Sequence, residues 1–302
     1  MGRRRKSDSP LHGVILIDKP SGKTSRDVVS AVGRLTGQRR AGHTGTLDPM
    51  ATGLLPVVLG EGTKAAALLS DAHKVYAATL QLGVATDSGD AEGQEVERGV
   101  VPELNQGLVE QACSTLLGRQ MQTPPVYSAK KVDGKRAYDL ARQGIEVALT
   151  PVEIEVASLE CRWIAPGRIE LTAEVSKGTY IRSLGETLAK RLETVGHLTA
   201  LRRLRTGPFD VADAITLDQL EALGVEARAA AVLPVARLLA LLPSCTLDGA
   251  QTARFTQGIK IAGVVGGGVT GQVAVFGPDR LLGIAWAQEG AVQPKRLFLL
   301  NS

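Results

Sequence analysis

The sequence predicts an α+β fold, in which a large mixed, mainly antiparallel β-sheet with flanking helices is followed by a small β-barrel-like domain at the carboxyl end. One observation is the alternation of apolar and polar side chains over runs such as 74–84, which indicates half-buried strands. A second is that helix-period stretches with start and stop residues occur between those runs, as at 25–37. A third is a shift toward glycine and short apolar runs from about Leu247, which is typical of small β-domains.

In the first part of the chain, short strands and helices are predicted in turn. Residues 13–17 form an unbroken apolar run and are predicted to be a buried strand. A helix is predicted to begin near Ser25 and to end at Gly37, with an inner face made of Val28, Val29, Val32 and Leu35. The next elements are predicted to be a strand at 54–59, a helix at 63–70, a strand at 74–84 and a helix at 105–117.

The second part continues with strands at 145–163, 168–176 and 197–209, and with a helix that runs from the turn after Ser176 to about Glu193. The carboxyl-terminal domain is predicted to hold a helix at 251–257 and strands at 259–265, 269–276, 280–287 and 296–300. We therefore expect a flexible basic tail at 1–12, a main domain at 13–245 and a small domain at 246–302.

The composition of the chain favours some partners over others. With 302 residues it can bury a substantial core, and its net charge is +4, with the excess of Lys and Arg before residue 206. Such a surplus is compatible with a polyanionic partner. Aromatic residues make up only 3% of the chain, so binding by stacking on rows of bases is not expected.

The cysteines and the apolar runs bear on location. Cys113, Cys161 and Cys245 are odd in number and far apart, and this predicts neither a disulfide framework nor a zinc ribbon but a reducing, cytoplasmic setting. The apolar stretch at 229–242 is interrupted by Pro234 and Arg237 and is not expected to span a membrane.

Residues 42–53, Gly-His-Thr-Gly-Thr-Leu-Asp-Pro-Met-Ala-Thr-Gly, are here called the signature loop. Three glycines, three threonines, a histidine and a carboxylate exclude a helix and a buried strand, so a shaped loop is expected. Pro49 disfavours helical angles for Asp48 and keeps its carboxylate on an extended segment. Asp48 is therefore the candidate for the chemistry, although Asp-Pro is also a common way to open an ordinary turn.

Two glycine motifs do not carry nucleotide chemistry. Gly22-Lys23-Thr24 lacks the first glycine of a phosphate-binding loop, because that position is Ile17. The Gly-x-Gly-x-x-Gly at 266–271 precedes a strand pattern rather than a helix, which favours a hairpin turn over a dinucleotide site.

The signature loop, continued by Leu54-Leu55, resembles the active-site signature of the TruB-type tRNA pseudouridine synthases, which isomerise uridine 55 in the T-loop of tRNA. The match is long and ungapped, and the resemblance implies that Asp48 is the catalytic aspartate. It also implies that His43 inserts into the T-loop where the target base had been. The carboxyl-terminal domain resembles, more weakly, the PUA-like RNA-binding domain of bacterial members.

Further along the chain, other motifs also match those of this family. Lys74-x-Tyr76 matches its base-stacking tyrosine, and Lys177-Gly-x-Tyr180-x-Arg182 supplies an arginine paired to the catalytic aspartate, with Tyr180 as a substrate-binding residue. Residues 197–209 resemble its last pocket strand, with Leu201 as the apolar pocket residue. From the residues alone, a packed strand tyrosine is the commoner interpretation of Tyr76, and an ordinary surface arginine stays open for Arg182.

Basic residues supply the remaining candidates for substrate binding. Lys19 opens the Lys-Pro-x-Gly turn that in the family lies beside the active site, and its expected role is support for Asp48. Lys130 and Lys131 lie in the stretch 124–151, which resembles the RNA-contacting thumb insertion but is also compatible with an exposed charged loop. The residues Arg202, Arg203 and Arg205 are candidates for phosphate contacts or plain solvated charges.

The expected reaction breaks the glycosidic bond, rotates the uracil and rejoins it through C5. One desolvated carboxylate suffices for this, so neither cofactor nor metal is expected. A glycoside hydrolase would need a second carboxyl group, and the signature loop contains none. A monomer acting on the tRNA T-stem-loop is predicted. Two alternatives stay open, a guide-RNA-dependent synthase acting on ribosomal RNA and a non-catalytic RNA-binding or RNA-folding factor.

Overall fold

The computed structural model describes residues 11–125, 127 and 149–300, together with the backbone of two short strands at 131–132 and 135–136. Residues 1–10 of the predicted basic tail, and most of the predicted insertion at 124–151, lie outside this description.

The strands up to residue 216 are, in chain order, β1 (Gly13–Lys19), β2 (Ala41–His43), β3 (Thr52–Leu59), β4 (Lys74–Leu82), β5 (Val84–Thr86), β6 (Glu95–Arg98), β7 (Gly118–Gln122), β8 (Lys131–Val132), β9 (Lys135–Arg136), β10 (Val152–Ala165), β11 (Arg168–Val175), β12 (Gly196–Thr206), β13 (Phe209–Asp210) and β14 (Ile215–Thr216). The helices in the same part are α1 (Ser25–Thr36), α2 (Ala66–Asp71), α3 (Gln106–Ser114), α4 (Ile181–Arg191), α5 (Leu217–Ala222) and α6 (Val225–Ala230). Short 3₁₀ segments lie at Gly60–Ala65, Val211–Asp213 and Val235–Leu239.

One large sheet organises this part of the molecule. Its main path runs β14–β1–β3–β12–β4–β11–β10–β7, with β2 beside β3 and β13 beside β12. The pairs β14–β1 and β3–β12 are parallel, and the other pairs are antiparallel. The predicted mixed, mainly antiparallel sheet is therefore confirmed.

The centre of the sheet is buried on both faces, as the unbroken apolar run in β1 predicts. Ile15 and Ile17 pack with α1, α3 and α4 on one face, whereas Val14 and Leu16 pack on the other face. The alternation predicted for β4 is also confirmed, since its buried side chains include Tyr76, Ala78, Leu80 and Leu82.

Helix α1 begins and ends where the sequence predicts. Thr24 and Asp27 form a reciprocal capping box at its start, and Gly37 closes it with φ 67°. The four predicted inner residues all belong to the core, Val28 and Val32 fully buried and Val29 and Leu35 partly buried. The outer face of α1 is thereby left to line the groove described below.

The carboxyl-terminal part forms a second sheet, in the order β15 (Ser244–Thr246), β17 (Gly271–Phe276), β18 (Leu281–Gln288), β19 (Ala291–Leu297) and β16 (Ile261–Ala262), with helix α7 (Gly249–Thr256) beside it. The predicted small β-domain is confirmed. Ala274, Ile284 and Phe298 pack with Val14 and Leu16 of β1, so the second sheet covers the rear face of the large one.

The predicted last strand at 296–300 is wrong. The strand runs over Ala291–Leu297 instead, because a two-residue turn at Glu289 (φ 52°) and Gly290 (φ 77°) pairs Ala291 with Gln288. Residues 293–296 are polar, charged or proline, and a search for apolar runs does not detect them as a strand.

The prediction from the cysteines is also wrong in one respect. Cys113 of α3 and Cys161 of β10 form a disulfide, although 48 residues separate them in sequence. The packing of α3 on β10 brings them together, and sequence spacing does not reveal that contact. The cysteines therefore no longer indicate a reducing compartment.

The described part of the chain contains no helix that is both long enough and apolar enough to cross a membrane.

Candidate active site

The signature loop leaves the sheet at the end of β2 and returns to it at the start of β3. Leu47 is buried beneath the loop, and its backbone amide and carbonyl both bond to the Ser25 hydroxyl at the start of α1 (2.8 and 3.1 Å). Directly after Leu47, residues Asp48 to Ala51 form a tight turn. The amide of Ala51 closes it by donating to the Asp48 carbonyl at 3.1 Å. The carboxylate of Asp48 is thus carried on an anchored turn.

Lys19 lies beneath that turn. Its side chain has no exposed surface, and its ammonium donates to the carbonyls of Pro20 (2.9 Å), Pro49 (3.0 Å) and Ala51 (2.6 Å). Burial lowers the pKa of Lys19 to about 8, against the opposing charges of Glu92 and Asp48. The structure therefore places Lys19 as a support for the loop rather than on the wall of a cavity.

Asp48 faces Arg182, which lies in the first turn of α4. Arg182 Nη2 donates to Asp48 Oδ1 at 3.1 Å, and Nε lies 3.0 Å from Oδ2. The Asp48 side chain keeps 32% of its surface exposed, whereas that of Arg182 keeps 4%. Burial raises the pKa of Asp48, the charge of Asp90 raises it further, and Arg182 opposes both effects.

A second carboxylate, that of Asp90, forms an ion pair with Arg182. Asp90 is buried, its Oδ2 lies 3.6 Å from Arg182 Nη1, and its Oδ1 accepts from the Ser88 hydroxyl at 2.6 Å. The carbonyls of Ser88 and Tyr127 complete the shell around the guanidinium (2.7 and 2.9 Å). Sequence reasoning missed Asp90 because it lies in an acidic stretch that has the composition of a solvated loop.

Tyr76 and Leu201 lie on the neighbouring strands β4 and β12, where Tyr76 is opposite Arg203 and Leu201 is opposite Ala78. They are 9% and 7% exposed and belong to the same apolar cluster as Leu47. Neither side chain lines the main cavity described below, which the structure forms around Asp48 and Arg182. Tyr76 is connected to the signature loop through Arg203, to which its hydroxyl is bonded at 3.4 Å.

His43 and Tyr180 are two further predicted site residues in the described part of the chain. His43 is half-buried at the end of β2, and its Nδ1 accepts from the amide of Gly45 at 3.3 Å. Burial and the nearby charge of Arg203 lower the pKa of His43, which favours the neutral imidazole. Tyr180 is half-buried directly before α4, where its backbone amide and carbonyl bond to the side chain of Gln122.

For one member of the basic trio of β12, Arg203, the prediction of a phosphate contact or a solvated charge is wrong, because its side chain is buried, whereas Arg202 and Arg205 lie at the surface. Arg202 makes two hydrogen bonds to the carboxylate of Asp18 (2.9 and 2.7 Å), and Arg205 pairs with Glu174 at 3.2 Å. Arg203 is 1% exposed. Successive side chains on a strand alternate between its faces, so one segment holds both surface and interior arginines.

A groove of about 1480 Å³ opens onto Asp48. Its walls are the outer face of α1 on one side and residues 87–94 on the other, with His43, Tyr127 and Arg182 near Asp48. Small-ligand pockets usually measure about 300–1,000 Å³, so this groove exceeds what one nucleoside requires. No group of three or more His, Cys, Asp or Glu in the described part of the chain has an arrangement that could hold a metal ion.

The remaining predicted site residues fall in the insertion. Lys130 lies outside the described residues, and Lys131 is described only as backbone in the short β8–β9 ladder.

Comparison with known proteins covers nearly the whole chain. Residues 33–181 match the model of the TruB family pseudouridylate synthase N-terminal domain. Residues 182–240 match that of the tRNA pseudouridylate synthase B C-terminal domain, and residues 243–298 that of the pseudouridine synthase II TruB C-terminal domain.

Relatives and solved structures point the same way. The tRNA pseudouridine synthase B of Aromatoleum aromaticum is 44% identical and covers 95% of this chain and 92% of its own, and that of Dechloromonas aromatica is 41% identical with 96% of each chain covered. A chain of the archaeal box H/ACA sRNP Nop10–Cbf5 complex superposes with a TM-score of 0.74 over 96% of this chain and 87% of its own, at 24% identity. This last likeness shows the fold.

Proposed function

The chain belongs to the TruB family of pseudouridine synthases and is a tRNA-modifying enzyme of that family, and from this we propose that it isomerises uridine 55 in the T-loop of tRNA. The observation that carries the proposal is the carboxylate of Asp48, which is held by a buried arginine and opens onto a groove large enough for a nucleotide and its neighbours.

The proposed chemistry needs no group from outside the chain. The C1′–N1 bond breaks with its electron pair moving to the uracil, the base rotates, and C5 forms the new bond to C1′. The proton on C5 is lost to solvent, and N1 gains one. Asp48 acts either on the sugar or on the uracil ring, and both routes begin from an ionised carboxylate.

Arg182 orients that carboxylate. Its guanidinium meets both oxygens of Asp48 and is held by Asp90 and two backbone carbonyls, so little freedom of rotation remains. A preorganised partner of this kind avoids reorganisation at the moment of reaction.

The target base lies within folded RNA, and we propose that it is flipped out to reach Asp48. Unstacking a base costs a few kcal/mol, and this is repaid when another group fills the gap. This role is supported by the position of His43 in the lining of the groove, where burial favours its uncharged form. In this proposal Tyr76 and Leu201 flank the uracil; because both lie in the apolar cluster behind the loop and not on the groove, the site has to open toward them when the RNA binds.

The proposed roles can be assigned to two domains. We propose that residues 13–245 form the catalytic domain, with the thumb at 124–151, and that residues 246–302 form a PUA-like RNA-binding domain. Lys130 and Lys131 of the thumb and Tyr180 contact the RNA in this proposal. A monomer in the cytoplasm, where tRNA matures, is the form that we expect to act.

The decisive experiment replaces Asp48 by asparagine, which keeps the shape of the side chain and removes its charge. We expect tritium release from tRNA that carries 5-tritiated uridine to fall by more than about a hundredfold, because a residue central to catalysis is lost. Asp213→Asn, at an exposed carboxylate in a 3₁₀ segment far along the chain, is the matched control and should behave as wild type.

If Asp48→Asn released tritium at the wild-type rate, the catalytic assignment would be wrong. An inactive wild type that still binds tRNA would favour the non-catalytic RNA-binding factor. Activity on a bare tRNA transcript, without any guide RNA, would exclude the guide-dependent alternative.

A further inference from the structure

Arg203 has the largest fully buried side chain in the described part of the chain, and it contacts β3, the signature loop and β4. Its Nε donates to the carbonyl of Leu54 in β3 at 2.7 Å, and its Nη2 donates to the carbonyl of Gly45 in the signature loop at 3.0 Å. Its Nη1 lies 3.4 Å from the hydroxyl of Tyr76 in β4, and the guanidinium carbon lies 6.0 Å from the centre of that ring. One side chain therefore connects a central strand, the loop and the tyrosine.

The charge of Arg203 has no carboxylate partner among the described residues. No carboxylate oxygen in the described part of the chain lies within 4.0 Å of its guanidinium, whereas Arg202 and Arg205 on the same strand each pair with one. A buried unpaired cation is unfavourable for folding, and an apolar side chain of similar volume would often be more stable there. Stability alone therefore does not account for an arginine here, and its hydrogen bonds to the signature loop and to Tyr76 point to a role in the site.

One glycine of the signature loop lies directly against the side chain of this arginine. A methyl group on Gly45 would stand 3.3 Å from Arg203 Nη1, closer than most side-chain contacts. Gly53 is required for a different reason, since a methyl group there would stand 2.3 Å from the backbone carbonyl oxygen of residue 203 and Gly53 has φ 98°. The loop therefore fits closely against the Arg203 guanidinium at Gly45.

We propose that Arg203 is a positioning residue for pseudouridine formation, which ties the hydroxyl of Tyr76 to the carbonyl of Gly45 and so fixes the stacking ring relative to Asp48. This inference rests on the proposed function. Arginine serves where lysine does not, because only the planar guanidinium offers several donors in a fixed fork that reaches three acceptors at once. Arg203 itself does not contact the reacting atoms.

The test is a double-mutant cycle on the full-length protein, with Arg203→Met, Tyr76→Phe and the double variant. We would measure the single-turnover rate of tritium release at saturating enzyme and, separately, the Kd for the same tRNA by filter binding. In the wild-type background we expect Arg203→Met to lower the rate at least about tenfold, as for loss of a charged hydrogen bond, with Kd changed less than about threefold. In the Tyr76→Phe background the same substitution should lower the single-turnover rate by a factor at least about five times smaller than in the wild-type background.

Two further variants keep the test decisive if Arg203→Met fails to fold. Arg203→Lys keeps the charge but not the fork, and we expect it to lose most of the rate as well. Gly45→Ala places a methyl group against Nη1 and leaves the charge untouched, and we expect the same loss of rate with unchanged Kd. Arg162→Met, at an exposed arginine on β10, is the matched control and should match wild type.

The outcomes separate this inference from the proposed function. Equal losses in the Tyr76 and Tyr76→Phe backgrounds, full rescue by Arg203→Lys, or a loss confined to Kd would each overturn the role assigned to Arg203. Wild-type protein that released no tritium would instead contradict the proposed function.

Discussion

Asp48 shows how one residue acquires its properties from three neighbours. Burial disfavours its ionised form, the second carboxylate Asp90 disfavours it further, and Arg182 restores the balance by direct contact with both oxygens. The net effect is a pKa above the ordinary aspartate value. Because the proposed chemistry needs the ionised form, activity should fall on the acid side at a higher pH than for a free aspartate.

Asp90→Asn tests this balance. The substitution removes the negative charge that raises the pKa of Asp48, so the acid limb of the single-turnover rate should move to lower pH. It also removes one ion-pair partner of Arg182, so the plateau rate should fall by about tenfold, as is typical for coupled residues in contact. Rates would be measured from about pH 4 to about pH 8, a range that spans the ordinary pKa values of carboxyl groups and of histidine.

Asp213→Asn serves again as the control and should leave the acid limb unchanged. A limb that moved to higher pH in Asp90→Asn, or that did not move, would contradict the electrostatic role assigned to Asp90.

At the scale of elements, α3 and β10 are joined in two ways. Gln106 of α3 bonds to the backbone of β10 at Cys161 and Trp163, and the disulfide between Cys113 and Cys161 links the same two elements. Strand β10 also pairs with β7, from which the chain enters the insertion at 124–151. The disulfide therefore restrains the edge of the sheet that carries the proposed thumb.

Reduction of that disulfide should lower stability without abolishing the fold. By closing a loop of this length, the disulfide lowers the entropy of the unfolded chain and so stabilises the folded protein by about 2–4 kcal/mol. We expect urea unfolding in the presence of reductant to show a decrease of that size in the free energy of unfolding. Because Cys245 is buried, the unreduced protein would be alkylated in denaturant, and mass spectrometry should then find Cys245 alone modified.

The control is the Cys113→Ala, Cys161→Ala double variant, whose unfolding should not respond to reductant. A wild-type protein with three alkylated cysteines before reduction would contradict the presence of the bond.

At the scale of the whole molecule, two sheets share one apolar layer. The carboxyl-terminal sheet packs on β1 and β3, and Glu61 accepts from the amide of Leu299 at 2.7 Å while Lys64 donates to the carbonyl of Leu297 at 2.8 Å. The opposite face of the large sheet carries α1, α3 and α4. The groove opens beside α1, where Arg26, Arg34 and Arg39 form a basic wall facing the acidic residues 87–92.

Salt dependence should reveal whether that wall binds the RNA backbone. We expect the logarithm of the tRNA association constant to fall linearly with the logarithm of salt concentration, because each phosphate contact releases bound cations. Arg26→Gln and Arg39→Gln should each reduce the slope by about 1. Filter binding over a range of salt concentrations measures it.

Arg162→Gln, on the surface of β10, should leave the slope at the wild-type value. An unchanged slope in both groove variants would show that Arg26 and Arg39 do not contact phosphates.

The sequence by itself determined the parts of this protein that local chemistry controls. The buried strand β1, helix α1 with its capping box and terminal glycine, the alternation of β4 and the glycine-rich loop around Asp48 all follow from residue spacing and from turn preferences. The family motifs also identified Asp48, Tyr76 and Arg182 as a set, and the structure brings Asp48 and Arg182 into contact.

Only the tertiary structure decided which charges are buried and which side chains meet across long stretches of chain. Asp90 has the composition of a solvated loop, and Arg203 stands between two arginines paired at the surface, yet both are buried because strands remote in sequence close over them. The Cys113–Cys161 bond arises in the same way, from the packing of α3 on β10. Burial depends on contacts between distant segments, and residue spacing carries no record of those contacts.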